Sequence, residues 1–378
     1  MNFEITEEHL LLSESLSRFL GDHYAFEQRR AIAASAEGWS PEVWHQLAEL
    51  GVLALGVPEA YGGLGGTTAD RLPVLQALGR ALALEPWLAS CVLGGTAVLV
   101  AGSEAQKDAL LPALAAGELR LAWAHEESGE PHDPALMETR AVREGNGWRL
   151  DGRKPLVLHA NAAGRLVVSA RVAGQGDATQ GCALFLVDPA AAGVELRHFR
   201  LVDDTPAAEL TLRSAEATAL GDPADIAFQH SAIQATLDAG TAAACAGMVG
   251  AMDTAFELTT GYVNTRKQFG RLIGEYQALR HRIAEMKVSL EMARSMAVAA
   301  AVAASETDSP EATAELARAK LVIGRHARLL CQSAIQSHGG IGMTEEYAVG
   351  HCLRHIHVLD HLFGNSDAQA ARLARLGA

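Results

Sequence analysis

The hydrophobic spacing of this chain changes twice, and those two changes fix the order of its parts. Up to about residue 120 apolar residues recur at helical intervals. They run through Phe3, Leu10, Leu11 and Leu16, then Trp44, Leu47, Leu50 and Leu53, then Leu72, Val74, Leu75 and Leu78 behind Asp70, which reads as a helix cap. From about 121 to 220 the period moves toward two. Leu166-Val167-Val168, Ala183 to Val187 and Glu209 to Leu212 read as strands. Trp148-Arg149-Leu150 and Leu156-Val157-Leu158 read as a hairpin closed by a primed turn at Asp151-Gly152. From Ala224 the chain is helical again, and small residues (Ala242 to Ala244, Ala246, Gly247) allow helices to approach closely. Four long helices in a bundle follow from this pattern, with a polar break at Glu306 to Glu311. The expected fold is α+β and mostly α. It has an N-terminal all-α domain at 1–120, a middle β domain (barrel or sandwich) at 121–222 and a C-terminal helical bundle at 223–378.

A chain of 378 residues with 49% hydrophobic residues has room for more than one core. Its formal charge of -14 argues against a general nucleic-acid binder, although local arginines can still hold an anionic ligand. The five cysteines (Cys91, Cys182, Cys245, Cys331, Cys352) are odd in number, widely spaced and free of any CxxC, which fits a reducing compartment. The start, MNFEITEEHLLL, lacks the basic opening of a signal peptide. The most apolar run, Pro86 to Gly102, contains a proline and a glycine pair and reads as a buried core helix rather than a membrane span. A cytoplasmic protein is expected.

The stretch Tyr262 to Met286 carries the densest chemistry. A helical pattern runs into Arg266-Lys267-Gln268-Phe269-Gly270, breaks at the glycine and resumes through Ile283, Met286 and Leu290. Two cations, an amide and a ring at a helix end could hold a flat anionic nucleotide; a solvated helix end with one buried Phe has the same composition. Tyr61 to Gly66 (YGGLGG) has no preceding strand and reads as an interhelical loop, not a dinucleotide fingerprint. His351, His355, His357 and His361 lack a HExxH glutamate and a cysteine pair, so they read as surface or interface residues and no metal is expected. Arg280, His281 and Arg282 could meet a CoA phosphate or a substrate carboxylate, or form a solvated face. Met286, Met292 and Met296 read as core.

The order helix, β domain, helical bundle resembles that of the acyl-CoA dehydrogenases. Pro58-Glu59-Ala60-Tyr61-Gly62-Gly63 resembles their PExYGG, Arg266 to Gly270 their RxxFG, Tyr276-Gln277 the aromatic-Gln that follows, and Gln336 to Gly342 their QxxGGxG. The closest similarity is to the small subunit of pimeloyl-CoA dehydrogenase-type enzymes, which are heteromeric. The resemblance implies a tetrameric flavoprotein in which FAD takes hydride from the β carbon of an acyl-CoA while a carboxylate removes the α proton. It assigns Arg266, Gln268 and Phe269 to the FAD of a neighbouring subunit. Gln336, Gly339 and Gly340 fall to the same FAD from the other side of the interface, Asn365 falls to that cofactor too, and Arg280 to substrate. Gly340 would let backbone come close to the nucleotide. Electron transfer flavoprotein is the implied acceptor, and a dicarboxylyl-CoA or a bulky acyl-CoA the implied substrate.

Three departures shape the functional expectation. The catalytic glutamate of the resemblance aligns with Phe363, in Leu362-Phe363-Gly364-Asn365, and its alternative earlier position with Gly240. Asp367 and Asp238 are the nearest acids; Asp367 also reads as the cap of the last helix, and Asp238 as a cap or surface carboxylate. The aromatic-x-x-Thr-Glu-Pro cradle becomes Trp123-Ala124-His125-Glu126-Glu127-Ser128, and Trp-Ile-Thr becomes Leu156-Val157-Leu158. The interface motifs survive while the flavin-ring and base motifs are gone. A subunit completed by a paralogous chain is the expectation, with a self-sufficient homotetramer, a flavin monooxygenase of the same fold or a non-catalytic assembly subunit as alternatives.

Overall fold

The computed structural model describes residues 7–127, 137–145, 147–172, 181–306 and 309–377. Phe3, expected to open the first helical pattern, and Ser128 lie outside them. The first helices are α1 (Glu7–His23), α2 (Phe26–Ala34), α3 (Pro41–Glu49) and α4 (Thr68–Ala81). Asp70 lies inside the first turn of α4 rather than capping it, and accepts from His9 Nδ1 at 3.0 Å. The apolar run after Pro86 is helical and buried, as a π segment Leu88–Gly94 leading into α5 (Gly95–Ala101). α6 (Glu104–Ala115) opens with a capping box between Ser103 and Gln106. Among the described residues no helix is long and apolar enough to cross a membrane.

The middle strands are β1 (Leu121–Ala124), β2 (Arg140–Glu144), β3 (Gly147–Leu158), β4 (Arg165–Val172), β5 (Cys182–Val187), β6 (Val194–Arg200) and β7 (Pro206–Ala219). The pairings β4–β2, β2–β3, β3–β7, β7–β5 and β5–β4 close a ring, so the sheet is a small barrel with β1 added beside β4 and β6 beside β7. Its core is filled by Leu150, Val157, Leu166, Val168, Phe185, Leu210 and their neighbours. The hairpin expected at Asp151-Gly152 is not there: β3 runs straight through it. The glycine is needed for close approach, since a Cβ at Gly152 would fall 2.3 Å from Thr139 Oγ1. The aspartate serves a β-bulge on the opposite strand, accepting from the backbone N–H of Ser214 (φ 50°) at 2.8 Å. A strand that changes its neighbour's register looks, in one dimension, like a strand that turns.

The C-terminal region is α7 (Ile226–Val263), a short ladder of β8 (Lys267–Gln268) with β9 (Arg271–Leu272), α8 (Gln277–Ala303), α9 (Pro310–His338), α10 (Ala348–His361) and α11 (Ser366–Leu376). Three helices are long and two short. The small-residue run on α7 does what its composition suggests. A Cβ on Gly79 of α4 would fall 2.3 Å from the carbonyl of Gly247, and one on Gly250 would fall 2.2 Å from that of Gln76. Met286 is buried, but Met292 is 46% exposed and Met296 half-buried. All five cysteines are buried and free.

Contact density divides the chain into two compact units. One holds residues 1–31, 68–83 and 241–378; the other holds 32–67 and 84–240.

Candidate cofactor and active site

In the helical unit the ends of α7 and α9 are joined by aromatic rings. Tyr262 lies 4.5 Å from His338 between centroids, and His338 lies 4.9 Å from Tyr347. Burial lowers the pKa of His338, which favours a neutral ring. This stack sets two sequence motifs side by side at one end of the bundle. α7 ends at Val263, short of the predicted run into Arg266 to Gly270. Those residues instead form the β8–β9 hairpin, whose two-residue loop is Phe269 (φ 52°) and Gly270 (φ 83°). Positive φ at both positions is the requirement of a type I′ turn, normally met by Asn-Gly. A phenylalanine there is strained, and its ring is 91% exposed. Tyr276 meets that ring edge-on at 6.5 Å, and Arg271 stands 4.0 Å over the face of Tyr276. Arg266, Lys267 and Gln268 are exposed with it.

On the second arm Gln336, Gly339 and Gly340 are exposed. The conformational demand falls on Gly339 (φ 66°, ψ -141°), a region open to glycine. A Cβ at Gly340 would meet nothing within 4 Å inside this chain, so the close approach expected there is not made by the chain itself. Arg280 is exposed and donates through Nε to the carbonyl of Gly274 at 3.0 Å.

The position expected for a base lies in the turn between α10 and α11. Phe363 (φ 60°) and Gly364 (φ 92°) are both left-handed, and Phe363 is half-buried. Asn365 caps α11, its side-chain oxygen accepting from the N–H of Ala368 at 2.9 Å. Asp367 is therefore not the cap; it is an exposed first-turn residue. Asp238 is half-buried on α7 and accepts from Gln234 Nε2 at 2.8 Å, while Gly240 is buried. His351 and His355 are buried rather than surface residues; His351 packs edge-on against Phe26 at 4.8 Å. Among the described residues no group of His, Cys, Asp and Glu could hold a metal.

In the barrel unit, Trp123 stacks on His125 at 5.4 Å, and the indole N–H of Trp123 is buried without a partner. Behind them lies a residue that sequence reasoning missed. Lys154 is wholly buried, and its ammonium donates to the carbonyl of His125 (3.0 Å), Glu127 Oε1 (2.7 Å) and Ser169 Oγ (3.3 Å). Burial lowers its pKa to about 8, against the opposing pull of Glu127. Burial alone would raise the Glu127 carboxyl, but the Lys154 charge and the N–H donors of Glu138 and Thr139 prevail and hold it low. The period of two along β3 gives the signal that could have found it. Leu150, Gly152 and Lys154 share one face, and Leu150 is core.

FAD can be tested against these residues. The exposed cations, amides, ring and glycines of the bundle end suit a dinucleotide. The barrel segment is a poorer match for an isoalloxazine: Leu156, Leu158 and Glu126 offer neither a hydroxyl nor a stacking ring.

Comparison with known proteins agrees along the whole chain. Residues 6–118, 122–215 and 230–377 match the N-terminal, middle and C-terminal domains of acyl-CoA dehydrogenase. The chain is 29% identical to a probable acyl-CoA dehydrogenase, YngJ, of Bacillus subtilis, over 99% of both chains. It is 26% identical to the (2S)-methylsuccinyl-CoA dehydrogenase of Cereibacter sphaeroides, over 96% of this chain and 70% of that one. Among solved structures, the Tcur3481-Tcur3483 steroid ACAD superposes with a TM-score of 0.89 at 29% identity, covering 99% of this chain and 98% of that one. The ChsE4-ChsE5 complex of Mycobacterium tuberculosis shares the fold, with a TM-score of 0.87 at 23% identity over 99% and 98% of the two chains.

Proposed function

The chain belongs to the acyl-CoA dehydrogenase family of FAD-dependent enzymes, and from that premise we infer that it is one subunit of a heteromer, completed by a paralogous chain that supplies the base and the flavin-ring cradle. One observation carries the reading: the nucleotide motifs are intact and exposed at one end of the bundle, while the residue at the base position is Phe363. A phenyl ring accepts no proton.

When bound, FAD supplies the hydride-accepting chemistry of this family. This chain's part is to bind and orient. Arg266 offers charge-assisted hydrogen bonds to a pyrophosphate, Gln268 and Gln336 offer amides, and the outward ring of Phe269 offers a stacking face. Gly339 and Gly340 leave space that a Cβ would enter. Asp367 is exposed and Asp238 is engaged by Gln234, which favours a base supplied by the companion.

The paired names of the steroid ACAD describe a two-component assembly, which supports the same arrangement here. A bulky acyl-CoA is the substrate class favoured by that likeness, and a dicarboxylyl-CoA remains the alternative in which Arg280 meets the second carboxylate. The caffeyl-CoA reductase-Etf complex subunit CarC of Acetobacterium woodii, 26% identical, supports electron transfer flavoprotein as the acceptor. Co-expression with a paralogous dehydrogenase chain tests the proposal. A stable complex that oxidises an acyl-CoA only when both chains are present supports it; full turnover by the single chain contradicts it.

A further inference from the structure

The four histidines of α10 divide by burial. His351 and His355 are buried, while His357 is half-buried and His361 exposed. His357 and His361 stand four residues apart and so share one helix face. Arg328 on α9 faces them. Burial lowers the pKa of His357, the positive charges of Arg328 and His361 lower it further, and Asp360 opposes the shift.

Asp360 is already engaged on both oxygens. It is 1% exposed, and its Oδ2 accepts from Arg328 Nη2 at 2.8 Å. Its Oδ1 accepts from Ser366 Oγ at 3.3 Å and lies 3.7 Å from the ammonium of Lys320, which is wholly buried on α9. The helix makes room for this carboxylate: a Cβ at Gly324 would fall 2.2 Å from Oδ1. Lys320 spends its donors on the neutral carbonyls of Asp360 (2.6 Å) and Gly364 (3.2 Å). One carboxylate therefore answers two cations, and the cluster keeps a positive charge that nothing beside it balances. That surplus opens to solvent at Arg328. Its side chain is 42% exposed, and its other N–H groups have no partner among the described residues. His361 Nδ1 donates to the carbonyl of His357 at 2.7 Å, which leaves Nε2 without a partner among the described residues.

We propose that Arg328, His357 and His361 form an anion site that takes a phosphate group. The guanidinium offers charge-assisted, paired donors to phosphate oxygens. The imidazoles donate at both nitrogens only when protonated, so the anion and the proton bind together. The site uses none of the nucleotide motifs at the other residues of the bundle.

Calorimetry on the full chain tests it at constant ionic strength, with chloride as the reference salt. Sulfate is the probe, because its charge does not change with pH as that of phosphate does. Sulfate should bind with a dissociation constant of about 1 mM near pH 6, and about tenfold more weakly near pH 8. The double variant His357→Gln, His361→Gln leaves Asp360 and Lys320 untouched; it should lose the pH dependence and most of the affinity. Arg328→Gln should abolish binding. Arg328 also serves Asp360, so the histidine variant judges the site should Arg328→Gln fold poorly.

Sulfate that binds no better than chloride, or as well in the double variant as in the wild type, overturns the site. Given sulfate binding, CoA compared with dephospho-CoA names the source of the phosphate. A preference for CoA that disappears in the double variant assigns the site to the phosphate of the coenzyme. No such preference, with inorganic phosphate competing against sulfate, assigns it to free phosphate.

Discussion

Lys154 Nζ lies 2.7 Å from Glu127 Oε1, with the lysine fully buried and the glutamate side chain 9% exposed. The pair ties the end of β1 to β3 within the barrel, because the same ammonium also holds the carbonyl of His125. Removing one member of a buried pair leaves the other uncompensated, at a cost of about 3–5 kcal/mol. Glu127→Gln should therefore destabilise by that order in chemical denaturation. Lys154→Met should cost less, since Glu127 keeps its bonds from the N–H groups of Glu138 and Thr139. Equal costs would refute this division of roles.

The same lysine predicts a pH signature. Its folded pKa is about 8, against an ordinary value of 10.5. Between those values the unfolded chain binds more protons than the folded one, so this group's contribution to stability rises with pH. The charged lysine weighs on the fold fully below pH 8 and is relieved as the pH climbs through 10.5. The wild type minus Lys154→Met difference in unfolding free energy should grow across that window by on the order of 3 kcal/mol. A flat difference would mean that the ammonium is not desolvated in the fold.

The crossing of α4 and α7 admits no side chain at two positions. Gly79→Ala and Gly250→Ala would each set a methyl under 3 Å from backbone carbonyl oxygen, which cannot rotate away. Each should lower stability by about 1–3 kcal/mol. A neutral effect in thermal melts would show that the two helices separate freely.

The order of parts was legible because hydrophobic period reports secondary structure directly: Leu166 to Val168 and Ala183 to Val187 are strands, and Ala242 to Gly247 is a close helix contact. What failed were readings that needed a partner not visible along the chain. Asp151-Gly152 looks like a turn until β7 is set opposite it. His351 and His355 look like surface residues until α10 is rotated toward the core. Lys154 drew no reading at all, because nothing along the chain shows that the barrel closes over it. The candidate site was legible as motifs, but the Tyr262–His338 stack that sets them side by side joins residues distant in sequence.

The exposed ring of Phe269 should separate stability from binding. Phe269→Asn keeps a residue that accepts the left-handed turn and removes a strained, solvent-facing ring. The free chain should melt unchanged or about 2 °C higher. The assembled complex should bind FAD about tenfold more weakly, read by flavin fluorescence. Unaltered FAD affinity would remove Phe269 from the cofactor site.

Flavin content measured against protein is the most direct test of the central claim. The chain purified alone should carry little or no FAD. Its complex with the paralogous chain should carry about one flavin for each pair of chains, with the base on the companion. A single chain that emerges yellow, with one FAD per polypeptide, and desaturates an acyl-CoA unaided would contradict the account.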